Sequence, residues 1–398
     1  MEDIGLDSQK GNKKFNIKSF FRFADKGTNI DMPILIITLT LLVFGLIMLY
    51  SASYVKGIYE KGDSLHYISN QLVYASAGLV VMAFAAKMDY RVLRRYSKFV
   101  LAIAYILLVI VLFMPEINYA KRWIFFPTPT HPIVTFQPSE IAKFALILVF
   151  ADLIQKKGDK MKTFQHGVIP FAVILGSMAL LFLLEPHISG TVILFGIGVI
   201  MMFVGGTDIK WFVTGIILVL IAGVAAVIIE PSLVGRASGR ITAWLNPESD
   251  LQGDGYQSYQ SLLAIGSGGL FGLGLGNSRQ KHLHLPEPQN DFIFAVICEE
   301  LGFFGGMMVM GLFFALLVRG IYIASRAKDK FGAMMVVGII SQISIQAFLN
   351  IAVATNTIPN TGISLPFFSE GGTSLMMLLA EMGIVLSVSR YANLERGE

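Results

Sequence analysis

The chain has 398 residues, of which 54% are hydrophobic and 15% charged, with a mean hydropathy of +0.65. That balance excludes an ordinary soluble domain and makes lipid the main solvent. The net charge of +4 does not imply a nucleic-acid partner, and the lone Cys298 excludes an intramolecular disulfide.

In chain order, residues 1–31 form a polar tail with Lys10, Lys13, Lys14, Lys18, Arg22 and Lys26. The apolar run that follows exceeds twenty residues with no small-residue cleavage pattern, which predicts an uncleaved first span. A span needs about 20 apolar residues, because helix rise is about 1.5 Å per residue and the hydrocarbon core about 30 Å thick. Ten segments qualify, approximately 32–54, 68–87, 97–115, 138–155, 166–184, 189–206, 210–230, 291–318, 331–355 and 372–389. Each is expected to be a helix, since a lone span in lipid must satisfy its own backbone hydrogen bonds. The expected organisation is therefore an all-α, polytopic membrane domain over 32–389, with a short tail at 390–398.

Ten spans put both termini on one side. The tails and loops of that side carry 22 Lys and Arg, against 8 in the opposite loops. Positive charge is retained in the cytoplasm, so both termini are expected there. Two loops on the outer side exceed what connection needs, 116–137 and 231–290, the latter between the seventh and eighth spans. The larger holds an amphipathic piece at 240–245, a turn-rich stretch at 246–250 and a glycine-rich run at 266–276, for which close backbone packing or a re-entrant segment is expected.

The run from Leu285 to Gly302 is the most informative. Its two prolines fix an extended approach, after which Asn290 or Asp291 can cap the eighth span. A carboxylate there, held ionised by the helix dipole beside lipid, suits a general base, although a plain helix cap fits the spacing equally. Glu299 and Glu300 lie deeper, where ionisable groups mark a lined cavity or a paired site. Glu140 and Lys143 can pair at i,i+3 on the fourth span. Lys121, Arg122 and Trp123 set two cations beside an aromatic where cations are otherwise scarce, which suits diphosphate binding or interfacial anchoring. His282 and His284 have no companion ligands at metal spacing, and the glycine run lacks the Gly-Lys-Ser/Thr ending of a nucleotide loop.

These residues resemble the SEDS family, the FtsW, RodA and SpoVE proteins of bacteria. The resemblance rests on Ala120 to Ile124, Gln137-Pro-Ser-Glu140 with Lys143, Glu185-Pro186, Gly255-Tyr-Gln257 and Ala264 to Gly272. It continues through Leu285-Pro-Glu287 with Asp291, Glu299 to Gly302, and Leu365-Pro-Phe367 with Gly371-Gly372. It leans towards the FtsW and SpoVE branch, and departs from the family at Tyr119 (usually glycine), His187 (commonly aspartate) and Glu370 (usually tyrosine). It implies a peptidoglycan glycosyltransferase polymerising lipid II on the outer face of the bacterial cytoplasmic membrane, with Asp291 as catalytic base. Lys121, Arg122, Trp123, Gln137, Ser139, Glu140, Lys143, Glu287, Glu299 and Glu300 become substrate-binding candidates. A divalent cation, Mg or Mn, could share the diphosphate charge. A class B penicillin-binding protein and other division, elongation or sporulation membrane proteins are the implied partners. Two other readings stay open: a lipid II flippase using Glu299, Glu300, Glu140 and Lys143, and a non-catalytic scaffold for the transpeptidase.

Overall fold

The computed structural model describes residues 30–116, 121–126, 134–229, 242, 244–249 and 253–392. Eleven helices are described: α1 Met32–Lys61, α2 His66–Lys87, α3 Arg91–Val111, α4 Pro138–Lys157, α5 Ile169–Leu184, α6 Ile188–Gly205, α7 Ile209–Ile229, α8 Asp254–Gly268, α9 Ile293–Arg326, α10 Lys330–Ala354 and α11 Gly372–Tyr391. A π-turn at Phe164–Val168 leads directly into α5. Seven are long and apolar enough to cross a membrane: α1, α2, α5 with its lead-in turn, α6, α9, α10 and α11. The other three expected segments are helices too. Of these, α3 carries Arg94, Arg95 and Lys98, α4 carries Glu140, Lys143 and Asp152, and the described apolar run of α7 is Ile209–Leu218.

Helix ends alternate between two faces of the bundle. On one face Asp31, the N-cap of α1, accepts from Ile34 N at 3.0 Å and pairs with Arg319 near the C-terminus of α9, while its own N–H donates to Ser389 on α11. Arg91 and Tyr90 reach Asp329, the N-cap of α10, on the same face, where Arg94 also meets Asp152 at 3.0 Å. Single spans that alternate in direction require this arrangement. Ile36, Val43 and Ile47 on α1 and Val173, Leu180 and Leu183 on α5 are exposed, as suits helices solvated by lipid.

The two long loops are more structured than the sequence pattern indicates. Residues Ile124–Phe126 (β1) and Val134–Phe136 (β2) form an antiparallel ribbon with Ile124 opposite Phe136, a small addition to an otherwise all-α chain. Thr373 at the start of α11 donates to Thr135 O at 3.2 Å and ties the ribbon to the bundle. The piece at 240–245 falls largely outside the described residues, as do Ala120 and Asp250.

The glycine-rich run packs backbone to backbone against α9. Leu273 N and Gly274 N donate to Glu299 O and Glu300 O at 3.0 and 2.9 Å, and Phe303 N donates to Gly269 O at 2.9 Å. These bonds require α9 to break, and Gly302 takes φ 69°, ψ −166° inside it. A Cβ on Gly272, at φ +80°, would stand 2.1 Å from Glu300 O. Gly272→Ala is therefore expected to lower the thermal midpoint of the detergent-solubilised protein, since positive φ alone costs about 1–3 kcal/mol. Gly266→Ala, with open space at that position inside α8, serves as the control and is expected to be neutral or stabilising.

Candidate functional site

On the face opposite the Asp31 end, a polar cavity of about 260 Å³ opens between α4, α6, α10 and the loops before α9 and α11. Six of the expected residues line it: Arg122, Trp123, Gln137, Glu140, Lys143 and Asp291. The ribbon brings in the first two, α4 and its N-cap Gln137 the next three, and the approach to α9 the last.

Asp291 is held by backbone clamps. Asn350, fully buried on α10, donates through Nδ2 to both Asp291 O and Ile363 O at 2.7 Å. Ser369 Oγ donates to Asn290 O at 2.6 Å, and Glu370 N to Gln289 O at 2.9 Å. The Asp291 side chain lies against Gly362, whose φ of +65° and missing side chain leave Oδ2 only 3.4 Å from where a Cβ would sit.

One expectation needs correcting. Asp291 does not cap the helix: α9 begins at Ile293, its N-cap is Phe292, and no side chain caps it. Asn290 donates to Glu287 instead, at 2.8 Å. The dipole therefore does not set the charge of Asp291. Burial pushes its carboxyl up to about 6, Glu287 adds to this and Arg122 opposes it. A carboxylate with a pKa near working pH is a better proton acceptor than a fully stabilised anion.

Arg122 donates to Pro186 O, while its buried Nε has no partner among the described residues. Burial lowers its pKa, opposed by Asp291 and Glu185, yet a guanidinium stays charged. Glu140 and Lys143 pair at 2.9 Å on one face of α4, both buried. Burial raises Glu185 to about 8 with Arg122 opposing, and raises Glu370 to about 7, where Glu287 adds and Lys56 subtracts.

Five of the expected residues lie outside the cavity lining. Lys121 pairs with Glu116 at 3.6 Å, Ser139 is buried without a partner for its Oγ among the described residues, and exposed Glu287 pairs with Lys56 at 2.6 Å. Glu299 and Glu300 are sealed in the bundle. Glu300 pairs with fully buried Lys281 at 2.8 Å and accepts from Ser51, Gly276 N and Ser278 N. Glu299 accepts from Ser278 Oγ, Arg279 N and Gln280 N. The partner of Glu300 is a lysine 19 positions earlier, brought back when the glycine run folds onto α9.

Sequence reasoning missed Gln346, Asn350 and Ser364 around the cavity. A signal was present, because Gln342, Gln346 and Asn350 recur every fourth residue on apolar α10 and so share one face. Gln342 bonds Glu381 at 3.0 Å, Gln346 bonds Ser364 at 3.2 Å, and Asn350 clamps Asp291.

Among the described residues no three His, Cys, Asp or Glu side chains converge as metal ligands.

The family of cell cycle proteins comprising FtsW, RodA and SpoVE matches residues 32–394. Stage V sporulation protein E of Bacillus subtilis (strain 168) is 43% identical over 371 residues, covering 92% of this chain and 99% of that protein. The probable peptidoglycan glycosyltransferase FtsW of Geobacter metallireducens is 36% identical over 382 residues, covering 95% and 97%. Among solved structures, a chain from a peptidoglycan synthase complex that coordinates polymerization and crosslinking superposes with a TM-score of 0.76 at 24% identity, covering 92% of this chain and 99% of that one. Thermus thermophilus rod shape determining protein RodA gives 0.66 at 24%, covering 92% and 98%, and these two likenesses speak to the fold. With a family match across nearly the whole bundle and relatives of such identity aligned end to end, the chain belongs to the FtsW/RodA/SpoVE family.

Proposed function

We propose that this protein is a peptidoglycan glycosyltransferase that polymerises lipid II, with Asp291 as the general base. The observation that carries the reading is the meeting of a backbone-clamped Asp291 with Arg122, Trp123 and Lys143 in one polar cavity at one end of the helices. In the reaction, the 4-hydroxyl of N-acetylglucosamine in the acceptor lipid II attacks the anomeric carbon of the growing glycan. The new carbon–oxygen bond forms with inversion, the bond to the undecaprenyl diphosphate breaks, and the diphosphate leaves with the electron pair. The hydroxyl proton passes to Asp291. Arg122, with its unpartnered Nε, faces the charge that grows on the departing diphosphate. Trp123 offers a surface for a sugar ring, and Gln137 a side-chain amide on the same wall. Lys121, paired with Glu116, and Ser139 lie outside the cavity lining.

All ten long helices outside α8 cross the bilayer in this reading. The face carrying Asp31, Arg319 and Asp329 is cytoplasmic and the cavity is extracytoplasmic, which the distribution of basic residues supports. A cysteine placed at Glu287 is expected to react with an impermeant maleimide added to intact cells, and one at Lys157 only after the membrane is opened. A class B penicillin-binding protein would supply the cross-linking that the glycan product requires. The flippase alternative would pass its cargo along Glu299, Glu300, Glu140 and Lys143, but the first two are consumed by Lys281, Ser51, Ser278 and backbone N–H groups away from the cavity, and the last two pair with each other. Purified protein in detergent, given lipid II alone and with the transpeptidase, tests the enzymatic reading: glycan strands are expected, and none in either case would refute it.

A further inference from the structure

Not every polar side chain of the cavity wall takes part in the reaction as described. His187 stands at the start of α6, its ring stacked on Phe182 with centroids 5.5 Å apart and laid over Gly190, where a Cβ would come within 2.8 Å of it. It lines the cavity together with Arg122 and Lys143. Only 9% of the residue is exposed, and its Nδ1 has no hydrogen-bond partner among the described residues. A buried ring nitrogen is ordinarily paired, and this one has no protein partner among the described residues although its ring borders the cavity.

The charge on the ring fixes what a partner from the cavity can be. Burial, then Arg122 and Lys143, hold the His187 pKa down at about 3, so the imidazole is neutral at working pH. The charged groups facing it are Arg122 from the segment before β1, Lys143 with its paired Glu140 on α4, and Glu185 from its own turn. Glu185 is itself shifted towards its neutral form by burial. A neutral imidazole offers one N–H and one lone pair. Beside two cations an anionic oxygen is the ligand atom that gathers, and the ring's N–H can serve it without adding a third positive charge.

We infer that His187 contacts the substrate, giving an imidazole N–H to a phosphate oxygen of the lipid-linked diphosphate that Arg122 also holds. The inference rests on the glycosyltransferase reading and assigns a role to the residue that departs from the family's common aspartate.

Farnesyl diphosphate is a short probe with the required head group, and farnesol is its uncharged control. His187→Leu is expected to weaken farnesyl diphosphate binding by about tenfold, the order expected for a hydrogen bond to a charged group. Farnesol binding stays unchanged, and lipid II polymerisation loses kcat together with kcat/KM, as for an interaction that strengthens while charge grows on the departing diphosphate. His187→Gln keeps an uncharged N–H donor and is expected to hold the diphosphate within about threefold of wild type. Undiminished diphosphate binding by His187→Leu, or equal losses in the Gln and Leu variants, would overturn the inference. His187→Ala replaces the Leu variant in the comparison if the latter does not fold. A wild-type protein unable to polymerise lipid II would instead defeat the reading of the reaction, while the binding comparison would still decide the role of His187.

Discussion

Asp291→Asn is expected to reduce lipid II polymerisation by roughly 10²–10⁴-fold, the range for loss of a positioned general base, while the protein elutes and melts like wild type. The substitution keeps the shape of the side chain and leaves Asn350 its backbone acceptor, because the clamp engages Asp291 O and not the carboxylate. The pH dependence carries a sign. Burial raises the Asp291 pKa to about 6, so the proton-accepting form is abundant above that pH and is lost below it. The rate under kcat/KM conditions is therefore expected to fall about tenfold per pH unit as pH drops below that value. Glu370, raised to about 7, lines the same cavity, and Glu185, raised to about 8, is coupled to Arg122 behind it, so both would titrate nearby. Glu370→Gln and Glu185→Gln variants that keep the limb near pH 6 would assign it to Asp291. Full activity in folded Asp291→Asn would remove the residue from the chemistry.

Lys281→Met is expected to be the most destabilising single change outside the cavity. The ammonium is enclosed, bonding Glu300 Oε1 at 2.8 Å, Gly276 O at 2.7 Å and Ser51 Oγ at 3.2 Å, and it lies over the ring of Tyr54. Removing it strands the Glu300 carboxylate, and breaking a buried pair in this way costs about 3–5 kcal/mol. Lys281→Met combined with Glu300→Gln removes both charges and is expected to recover most of the loss, because the penalty belongs to the orphaned ion more than to the missing attraction. Thermal unfolding of the single and double variants in the same detergent measures this. Equal destabilisation in both would mean that the pair contributes through shape alone. The lock also bears on catalysis, since the chain runs directly from Lys281 to Asp291. A residual activity defect in the double variant would locate that effect in the loop.

The two intramembrane carboxylates illustrate what a sequence can and cannot reveal. That Glu299 and Glu300 needed partners was legible, because an ionisable group in an apolar helix has few ways to exist. Lys281 was not legible as that partner, because it sits in a loop counted as exterior and returns to the bundle only when Gly268, Gly272 and Gly302 let two backbones touch. Glu140 and Lys143 were legible as a pair, since three residues on a helix is a contact distance. Asp291 was legible as a candidate but its electrostatics were not. The helix starts one residue later than an Asp291 cap requires, and burial raises the pKa that a cap would have lowered.

By itself, then, the sequence determined the helices of the bundle and the chemical character of the long loops between them. These follow from hydropathy, from backbone hydrogen bonding in lipid and from charge asymmetry, all of which act over one span or one loop at a time. Only the tertiary structure decided which residues share a cavity. It gathered Arg122, Lys143, His187, Asp291 and Gln346 from segments over 200 positions apart, and it turned Glu287, Glu299 and Glu300 away. The reason is that contacts between helices depend on how side chains and glycines fit across the bundle, and no local rule of spacing encodes that fit.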